Sequence, residues 1–352
     1  MENIHAVLLA GGLGQRLWPR ARKEKPKQFL AFGEEKSLLQ RTAQRIHPIF
    51  PWSRIWVVAK PEHKHLVKEQ LPELPEENLL IEPIPKGTAA AVIMSAIVIE
   101  SRYPNAIMSV LPTDHLIKNE SLFRRTLSAA MTWAAKHPDL VTIGIKPTRA
   151  ETAYGYITLG DLQGKVEDFS CYKVLSFHEK PCRKVAQSYL EKGNSLWNSG
   201  IFSWACKSLI STCKILKKLG FNADLKEAAQ TIDDYYHKLP NDSIDYEVLE
   251  QAKNLVVFPA DFGWHDLGIW ETFYELSKKD QNKNSITGNV VSRHTKGCLL
   301  SCSEDKVVAV LGLKNMAVIV EGDCVLVCPR DRLQEVRYLV EELEQKGLKK
   351  FT

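Results

Sequence analysis

The sequence lacks the cysteine spacings that mark a metal-bound or disulfide-bonded fold. Its 352 residues include eight cysteines, but these form no CxxC pair, and no histidine lies at zinc-finger spacing from them. A chain of this length buries roughly three quarters of its unfolded surface, so it needs no covalent staple to fold. We therefore expect free thiols and a reducing, cytoplasmic location.

Other absences narrow the class of protein further. No apolar run approaches the ~20 residues of a membrane-spanning helix, and the first residues, MENIHAVLLAGG, lack the basic segment of a signal peptide. Lys and Arg number 47 against 42 Asp and Glu, and no dense basic block is present. We expect a protein that binds neither a membrane nor nucleic acid.

The first half of the chain alternates apolar strands with amphipathic helices. The predicted strands are 4–10, 55–59, 78–81, 107–111 and 141–145, and the predicted helices are 38–46, 61–70, 88–101 and 121–136. The strands are almost entirely apolar, as is typical of strands buried on both faces. This pattern predicts an α/β fold with a doubly wound, mostly parallel, Rossmann-like sheet, whose ligands lie beyond the carboxyl ends of the strands.

The pattern changes near residue 284. Short β runs of five to seven residues fill 286–328, and a charged helix is expected at 331–346. The β runs fit either a few coils of a solenoid or a small sandwich. We expect two domains, an α/β domain over 1–283 and an all-β module with its closing helix over 284–352.

A glycine-rich turn, GGLG at 11–14, follows the first strand, and its backbone amides can approach a phosphate closely. It is not a P-loop, because no GK[ST] follows, and Leu17 stands where the dinucleotide fingerprint needs its third glycine. Arg16 follows the turn closely, and Lys27 lies eleven residues further along the chain. We expect a phosphate-binding loop of another pattern.

The segment GGLGQRLWPRARKEKPKQFL resembles the signature of the bacterial mannose-1-phosphate guanylyltransferases, GGxGxRLWPxSRxxxPKQFL, with Ala21 in place of the serine. The GGxGxR…PK core is common to the wider sugar nucleotidyltransferase superfamily. The LWP and KQF extensions of that core are typical of its mannose branch. The resemblance implies Mg²⁺-dependent transfer of GMP from GTP to α-D-mannose 1-phosphate, which gives GDP-mannose and pyrophosphate. It also implies a left-handed β-helix for the C-terminal module and a homodimer.

Longer members of this family carry a phosphomannose isomerase domain at the C-terminus. Residues 286–352 contain no metal-binding HxH segment. We therefore expect the isomerase activity to be absent.

Two aspartates are candidate Mg²⁺ ligands. Asp114, in LPTDH, follows the strand at 107–111, and Asp266, in FGWHDLGIW, follows a strand expected at 256–260. A carboxylate at this edge of a sheet is well placed to hold Mg²⁺ on the phosphates of a nucleotide. Both segments resemble metal-binding motifs of the family, LPxDH and GWxDxG.

Three further segments resemble the family's sugar-binding motifs: YGYI from Tyr154, FHEKP at 177–181 and WNSGIF at 197–202. The resemblance implies that Glu179 and Asn198 bind sugar hydroxyls and that Lys180 faces the sugar phosphate. SIDYEVLE, at 243–250, also resembles a family segment, but its residues suggest no chemical role beyond a capped helix.

EPIPKGTAA, which begins at Glu82, stands where the family has its base-recognising EPxxRNTAPA. A carboxylate can accept hydrogen bonds from guanine N1–H and N2–H₂, so Glu82 is the candidate guanine ligand. Lys86 and Gly87 replace Arg and Asn, and Ala90 replaces Pro, which weakens the guanine assignment more than the reaction assignment.

The complete expected site has four overlapping sets of residues. The catalytic set is Arg16, Lys27, Asp114 and Asp266, and the metal set is Asp114 and Asp266. The nucleotide set is Ala10, Gly11, Gly12, Gly14, Arg16, Lys27, Glu82, Pro83, Thr88 and Asp114, and the sugar-phosphate set is Tyr154, Gly155, Glu179, Lys180, Asn198 and Asp266.

Two alternatives to this function stay open. One is a sister enzyme that uses another base or sugar, such as a glucose-1-phosphate thymidylyl- or uridylyltransferase. The other is a catalytically silent regulatory subunit.

Overall fold

The computed structural model describes residues 3–219, 225, 229 and 231–352. The chain divides into two compact units. The first unit comprises residues 1–11, 39–113 and 117–264, and the second comprises 12–38, 114–116 and 265–352.

Most strands of the first three quarters of the chain form one nine-stranded sheet. In chain order the strands are β1 (Ile4–Leu9), β2 (Ile55–Ala59), β3 (Leu79–Ile81), β4 (Ile107–Pro112), β5 (His115–Ile117), β6 (Leu140–Ile145), β7 (Tyr156–Val166), β8 (Phe169–His178), β9 (Ser195–Ala205), β10 (Leu255–Ala260) and β11 (Trp264–Asp266). The sheet order is β3-β2-β1-β4-β9-β6-β10-β8-β7, and β5 pairs separately with β11.

The sheet is parallel on one side and mixed on the other. Strands β2 and β4 flank β1 in parallel, so that Ala6 lies opposite Ile55 on one side and Ser109 on the other. Strand β9 runs antiparallel between β4 and β6. The predicted α/β class is confirmed, although β9 was not predicted, because Asn, Ser and Gly in the middle of SLWNSGIFSWA obscure its strand pattern.

The helices lie where the sequence predicts them in the first half of the chain. Over the described residues, the α-helices of the whole chain are α1 (Leu38–Ile46), α2 (Lys64–Gln70), α3 (Thr88–Arg102), α4 (Glu120–Lys136), α5 (Arg183–Lys192), α6 (Cys206–Thr212), α7 (Lys214–Lys218), α8 (Ile232–Lys238), α9 (Ile244–Glu247), α10 (Trp270–Leu276) and α11 (Val336–Gln345). The Asn119 side chain accepts a hydrogen bond from the Leu122 amide and so caps α4.

Helix α3 is buried almost throughout, since residues 89–100 are all buried. Its Ile93 and Ile97 belong to the same apolar core as Val7 of β1 and Val110 of β4. This packing fixes the start of α3, at Thr88, within the first unit.

The second unit contains the C-terminal strands: β12 (Ser285–Thr287), β13 (Asn289–Arg293), β14 (Leu299–Cys302), β15 (Val307–Leu311), β16 (Met316–Glu321) and β17 (Cys324–Pro329). Strands β12, β14 and β16 stack in parallel, as do β13 and β15, and β17 pairs antiparallel with β16. Parallel stacking of successive short strands is the arrangement of a solenoid and not of an antiparallel sandwich.

The LWPRAR part of the signature contacts this module within the second unit. The Trp18 indole N–H donates to the Phe351 carbonyl at 2.6 Å. Arg20 pairs with Glu321 at 2.8 Å, and Arg22 pairs with Asp323 at 2.7 Å. These contacts hold the segment between the glycine turn and Lys27 on the β module.

The structure also bears on the expectations about membrane-spanning helices and free cysteines. Over the described residues, no helix combines the length and apolarity that crossing a membrane would require. The eight cysteines are free thiols, and six of them are buried.

Candidate active site

Three residues of the second unit form a compact acidic cluster. The side-chain ligand atoms of Asp114, His115 and Asp266 all lie within 4.8 Å of one another. The Asp114 carbonyl accepts a hydrogen bond from the Leu267 amide at 3.1 Å, which ties the two aspartate segments together. The structure thus brings the two predicted metal ligands to one place and adds a histidine to which the sequence had suggested no role.

Lys27 enters this cluster and forms an ion pair with the Asp114 carboxylate. Burial alone would lower the pKa of Lys27, but the charges of Asp114 and Asp266 outweigh it and raise that pKa. Lys27 therefore stays cationic beside two carboxylates.

The pKa values of Asp114 and Asp266 shift in opposite directions. Burial acts to raise the pKa of Asp114, but the charges of Lys27 and His115 outweigh it and hold that pKa at about 2. Burial, followed by the negative charge of Asp114, raises the pKa of Asp266. Asp114 is thus firmly ionised. The positive charges near Asp266 do not offset the effects of burial and of Asp114 on the pKa of Asp266.

The glycine turn makes room for the lysine. Gly14 has a φ of 71°, and a Cβ there would lie 2.8 Å from Cβ and Cγ of Lys27. Arg16, in the short helical turn that follows, adds positive charge near Lys27 and Asp266. The GGxGxR…PK spacing therefore has a physical reason, because only glycine at position 14 lets the Lys27 stem pass.

The cluster fits a hard divalent cation. Mg²⁺ prefers one or two carboxylates together with phosphate and water oxygens. Among the described residues, the buried Oδ1 of Asp266 has no hydrogen-bond partner, which is costly for a carboxylate oxygen that binds nothing. Asp114 and Asp266 are therefore the residues that would hold the ion.

Glu82 lies in the first unit, directly after β3, and only 4% of its surface is exposed. The Tyr236 hydroxyl of α8 donates to its Oε1 at 2.5 Å. A Cβ at Gly11 would lie 2.5 Å from its Oε2. Ala10 lies between the end of β1 and that glycine, and its amide donates to the Val58 carbonyl at 2.9 Å.

The other nucleotide-set residues of this segment follow Glu82 closely. Pro83 is the next residue, and Thr88 is the first residue of α3. The Thr88 hydroxyl accepts a hydrogen bond from the Ile244 amide at 3.0 Å. The structure therefore anchors both ends of the EPIPKGT segment.

Five residues of the predicted sugar-phosphate set lie in the first unit, whereas the sixth, Asp266, belongs to the second unit. A Cβ at Gly155 would lie 2.5 Å from Oε2 of Glu179 and 3.3 Å from Cβ of Asn198. Lys180 forms an ion pair with Glu179, and its own side chain is half exposed. The Tyr154 ring packs edge-on against the Trp197 ring, with centroids 5.3 Å apart.

Asp245 completes this group, although the sequence suggested no chemical role for it. Its Oδ1 accepts a hydrogen bond from Nδ2 of Asn198 at 2.9 Å. The Asn198 Oδ1 accepts from the Thr142 hydroxyl at 3.1 Å, so the amide is held from both sides. Burial, followed by the charge of Glu179, raises the pKa of Asp245 to about 6.

The sequence analysis assigned no role to His115, Asp245 or Tyr236, and the three differ in how far the sequence points to them. His115 adjoins Asp114 in the LPTDH motif, and Asp245 lies in SIDYEVLE, a segment that resembles the family but carries no assigned role. Tyr236 lies in a helix with no motif, and nothing local singles it out. The roles of the predicted site residues remain predictions, although their grouping is a structural observation.

Two protein families match this chain, each over a different range of residues. Residues 5–283 match the family described as Nucleotidyl transferase. Residues 288–343 match the family described as MannoseP isomerase/GMP-like beta-helix domain, which confirms a β-helix-like module.

Named relatives match over nearly the whole chain. A mannose-1-phosphate guanylyltransferase of Escherichia coli is 34% identical over 97% of this chain and 76% of its own length. The xanthan biosynthesis protein XanB of Xanthomonas campestris pv. campestris (strain B100) is 35% identical over 100% of this chain and 76% of its own length.

One solved structure is similar throughout. The crystal structure of a protein described as a mannose-1-phosphate geranyltransferase from Thermus thermophilus has a TM-score of 0.82 at 33% identity, and the match covers 97% of this chain and 99% of that one. The signature in the sequence, the β-helix match and these full-length relatives agree. The chain belongs to the mannose-1-phosphate guanylyltransferase family of sugar nucleotidyltransferases.

Proposed function

We propose that this protein transfers GMP from GTP to α-D-mannose 1-phosphate, which gives GDP-mannose and pyrophosphate. The observation that carries the proposal is the cluster of Lys27, Asp114 and Asp266 beside the glycine turn. Nucleotidyl transfer needs groups that position two phosphates and offset their charge, and this cluster supplies both.

The chemistry requires no general base from the protein. A phosphomonoester has its second pKa near ~6, so the phosphate of mannose 1-phosphate is mostly ionised at neutral pH. An oxygen of that phosphate forms a bond to the α-phosphorus of GTP, and the bond from the α-phosphorus to the bridging oxygen breaks. Its electron pair leaves on pyrophosphate.

The residues of the chain act by binding and neutralising charge. Lys27 and Arg16 lie where they can hold the leaving pyrophosphate, and the amides of the glycine turn can bind its oxygens. Asp114 and Asp266 would hold Mg²⁺, which when bound neutralises phosphate oxygens. Because the pKa of Asp114 is held at about 2, this ligand stays ionised throughout the neutral range.

The first unit would supply recognition of base and sugar. Glu82 is the acceptor for guanine, and Asn198 and Glu179 are the polar side chains for the hydroxyls of mannose. A hexose suits short side chains that are already held by hydrogen bonds, as Asn198 is by Thr142 and Asp245.

A pyrophosphate-release assay tests the proposal. Each of GTP, ATP, UTP and dTTP is paired with mannose 1-phosphate and with glucose 1-phosphate. We expect the highest kcat/KM for GTP with mannose 1-phosphate. Preference for another pair would establish a sister enzyme, and no release with any pair would establish a silent subunit.

A further inference from the structure

Glu82 is held by one residue far away in the chain. The Tyr236 side chain is fully buried, and its hydroxyl donates to Oε1 of Glu82 at 2.5 Å. On the other side of the carboxylate, Oε2 lies so near Gly11 that a Cβ there would come within 2.5 Å of it. The carboxylate is therefore confined between a hydroxyl and a glycine backbone.

The same segment also contains Lys86, one of its three departures from the family pattern. Its Nζ donates to the His237 carbonyl at 2.8 Å and to the Leu239 carbonyl. These carbonyls lie at the C-terminal end of α8, where a cation is favourable because backbone carbonyls there are left without helical partners. Lys86 thus binds α8 to the segment that carries Glu82.

Gly87, another of these departures, permits a close backbone contact. A Cβ at position 87 would overlap the carbonyl oxygen of Asp242. The Ala89 amide donates to that same carbonyl at 3.2 Å, and the Ile244 amide donates to the Thr88 hydroxyl at 3.0 Å. The replacement of Arg-Asn by Lys-Gly is therefore accounted for by contacts with residues 237–244.

We propose that Tyr236 is a positioning residue that sets nucleobase selectivity, because it holds the Glu82 carboxylate in one orientation for a purine edge bearing two donors. This inference rests on the proposed function and deepens it. An ionised carboxylate only accepts hydrogen bonds, and each oxygen has two acceptor sites. Tyr236 uses one site, and those that remain match the adjacent N1–H and N2–H₂ donors of guanine.

The hydrogen bond from Tyr236 also affects the protonation of Glu82. Burial raises the pKa of Glu82, whereas the hydrogen bond from Tyr236 opposes that rise by stabilising the charged form. Without the hydroxyl, the carboxyl group would be freer to rotate and to take up a proton. A protonated carboxyl group can donate a hydrogen bond, so it would discriminate less well against bases that present an acceptor at N1.

The test is the variant Tyr236→Phe in the full chain, with kcat/KM measured for GTP, ITP and ATP at saturating mannose 1-phosphate. ITP lacks the N2 amino group, and ATP presents an acceptor at N1. We expect kcat/KM for GTP to fall by about tenfold, as for loss of one hydrogen bond to a charged group. The ratios of GTP to ITP and of GTP to ATP should narrow, while KM for mannose 1-phosphate stays unchanged.

Two further variants keep the result interpretable. Tyr235→Phe removes the same hydroxyl from the neighbouring residue of α8 and should leave the ratios unchanged. Lys86→Met removes the hydrogen bonds from Lys86 to the end of α8 and leaves Tyr236 unchanged. It should therefore narrow the kcat/KM ratios of GTP to ITP and of GTP to ATP even if Tyr236→Phe fails to fold.

The outcomes separate this inference from the proposed function. If the wild-type protein does not prefer GTP, the proposed function fails. If the wild-type protein prefers GTP and both Tyr236→Phe and Lys86→Met keep its selectivity ratios, the role assigned to Tyr236 is overturned.

Discussion

Replacement of Lys27 by alanine removes the cation that pairs directly with the acidic cluster of the second unit. Lys27 pairs with Asp114, and the charge of Asp266 also acts on it. Its side chain is 15% exposed and that of Asp114 is 18% exposed, so solvent screens the pair only in part. The variant therefore leaves two close carboxylates with less positive charge, and under the proposed function it also removes a ligand of the pyrophosphate.

The expected size follows from an ion pair between Lys27 and a phosphate oxygen of the pyrophosphate, taken at an ordinary contact distance. At a separation near 4 Å and an effective dielectric constant of about 20, two unit charges interact by about 4 kcal/mol. Partial exposure reduces this to about 3 kcal/mol, which corresponds to at least about 100-fold in kcat and matches the loss of one preorganised electrostatic group. We therefore expect Lys27→Ala to lower kcat by about 100-fold or more with the fold intact.

The assay is pyrophosphate release at saturating GTP and mannose 1-phosphate, with circular dichroism to check the fold. Lys25→Ala is the matched control, because Lys25 belongs to the same loop but is exposed. A second readout is the rise in melting temperature on addition of Mg²⁺, which should be larger in Lys27→Ala because the ion no longer competes with the lysine for Asp114. Turnover of Lys27→Ala within about threefold of wild type would refute the reasoning.

Three other perturbations test separate parts of the structure. Asp266→Asn should lower kcat by about 100-fold or more and reduce the melting-temperature rise with Mg²⁺; an undiminished rise would exclude Asp266 as a ligand. Because the pKa of Asp245 is raised to about 6, the wild type should lose up to about 3 kcal/mol of stability relative to Asp245→Asn as pH rises from about 4 to above 6. Urea unfolding at pH 4 and pH 7 measures this, and a pH-independent difference would contradict it. A double-mutant cycle of Arg20→Ala and Glu321→Ala should give a coupling free energy of up to about 1 kcal/mol, and strict additivity would show that this contact does not hold the signature on the module.

The family signature combines two physical roles that the sequence shows as one motif. Gly14 and Lys27 serve the acidic cluster, whereas Trp18, Arg20 and Arg22 contact the C-terminal module. This division gives a structural reason for the LWP extension beyond the GGxGxR…PK core. We propose that 1–283 and 284–352 are the domains in sequence terms, although the second compact unit also takes in residues 12–38, 114–116 and 265–283.

The amino-acid sequence alone was sufficient for the fold class, the family and the acidic cluster, because apolar strand periodicity and short motifs are local in the chain. Gly14 and Lys27 are thirteen residues apart by their numbering, and each aspartate lies within six residues of the end of a recognisable strand, at 107–111 or 256–260. Strand β9 escaped prediction because its middle is polar and glycine-containing, so only pairing with β4 and β6 reveals it as a strand.

The tertiary structure alone identified the side chains that hold the predicted ligands in place. Tyr236 is 154 residues from Glu82, and Asp245 is 47 residues from Asn198. No periodicity or motif spans such separations, since contacts of this kind exist only after the sheet and α8 have packed. The pKa of Asp245 has the same origin, because burial and the approach of Glu179 are properties of the folded chain.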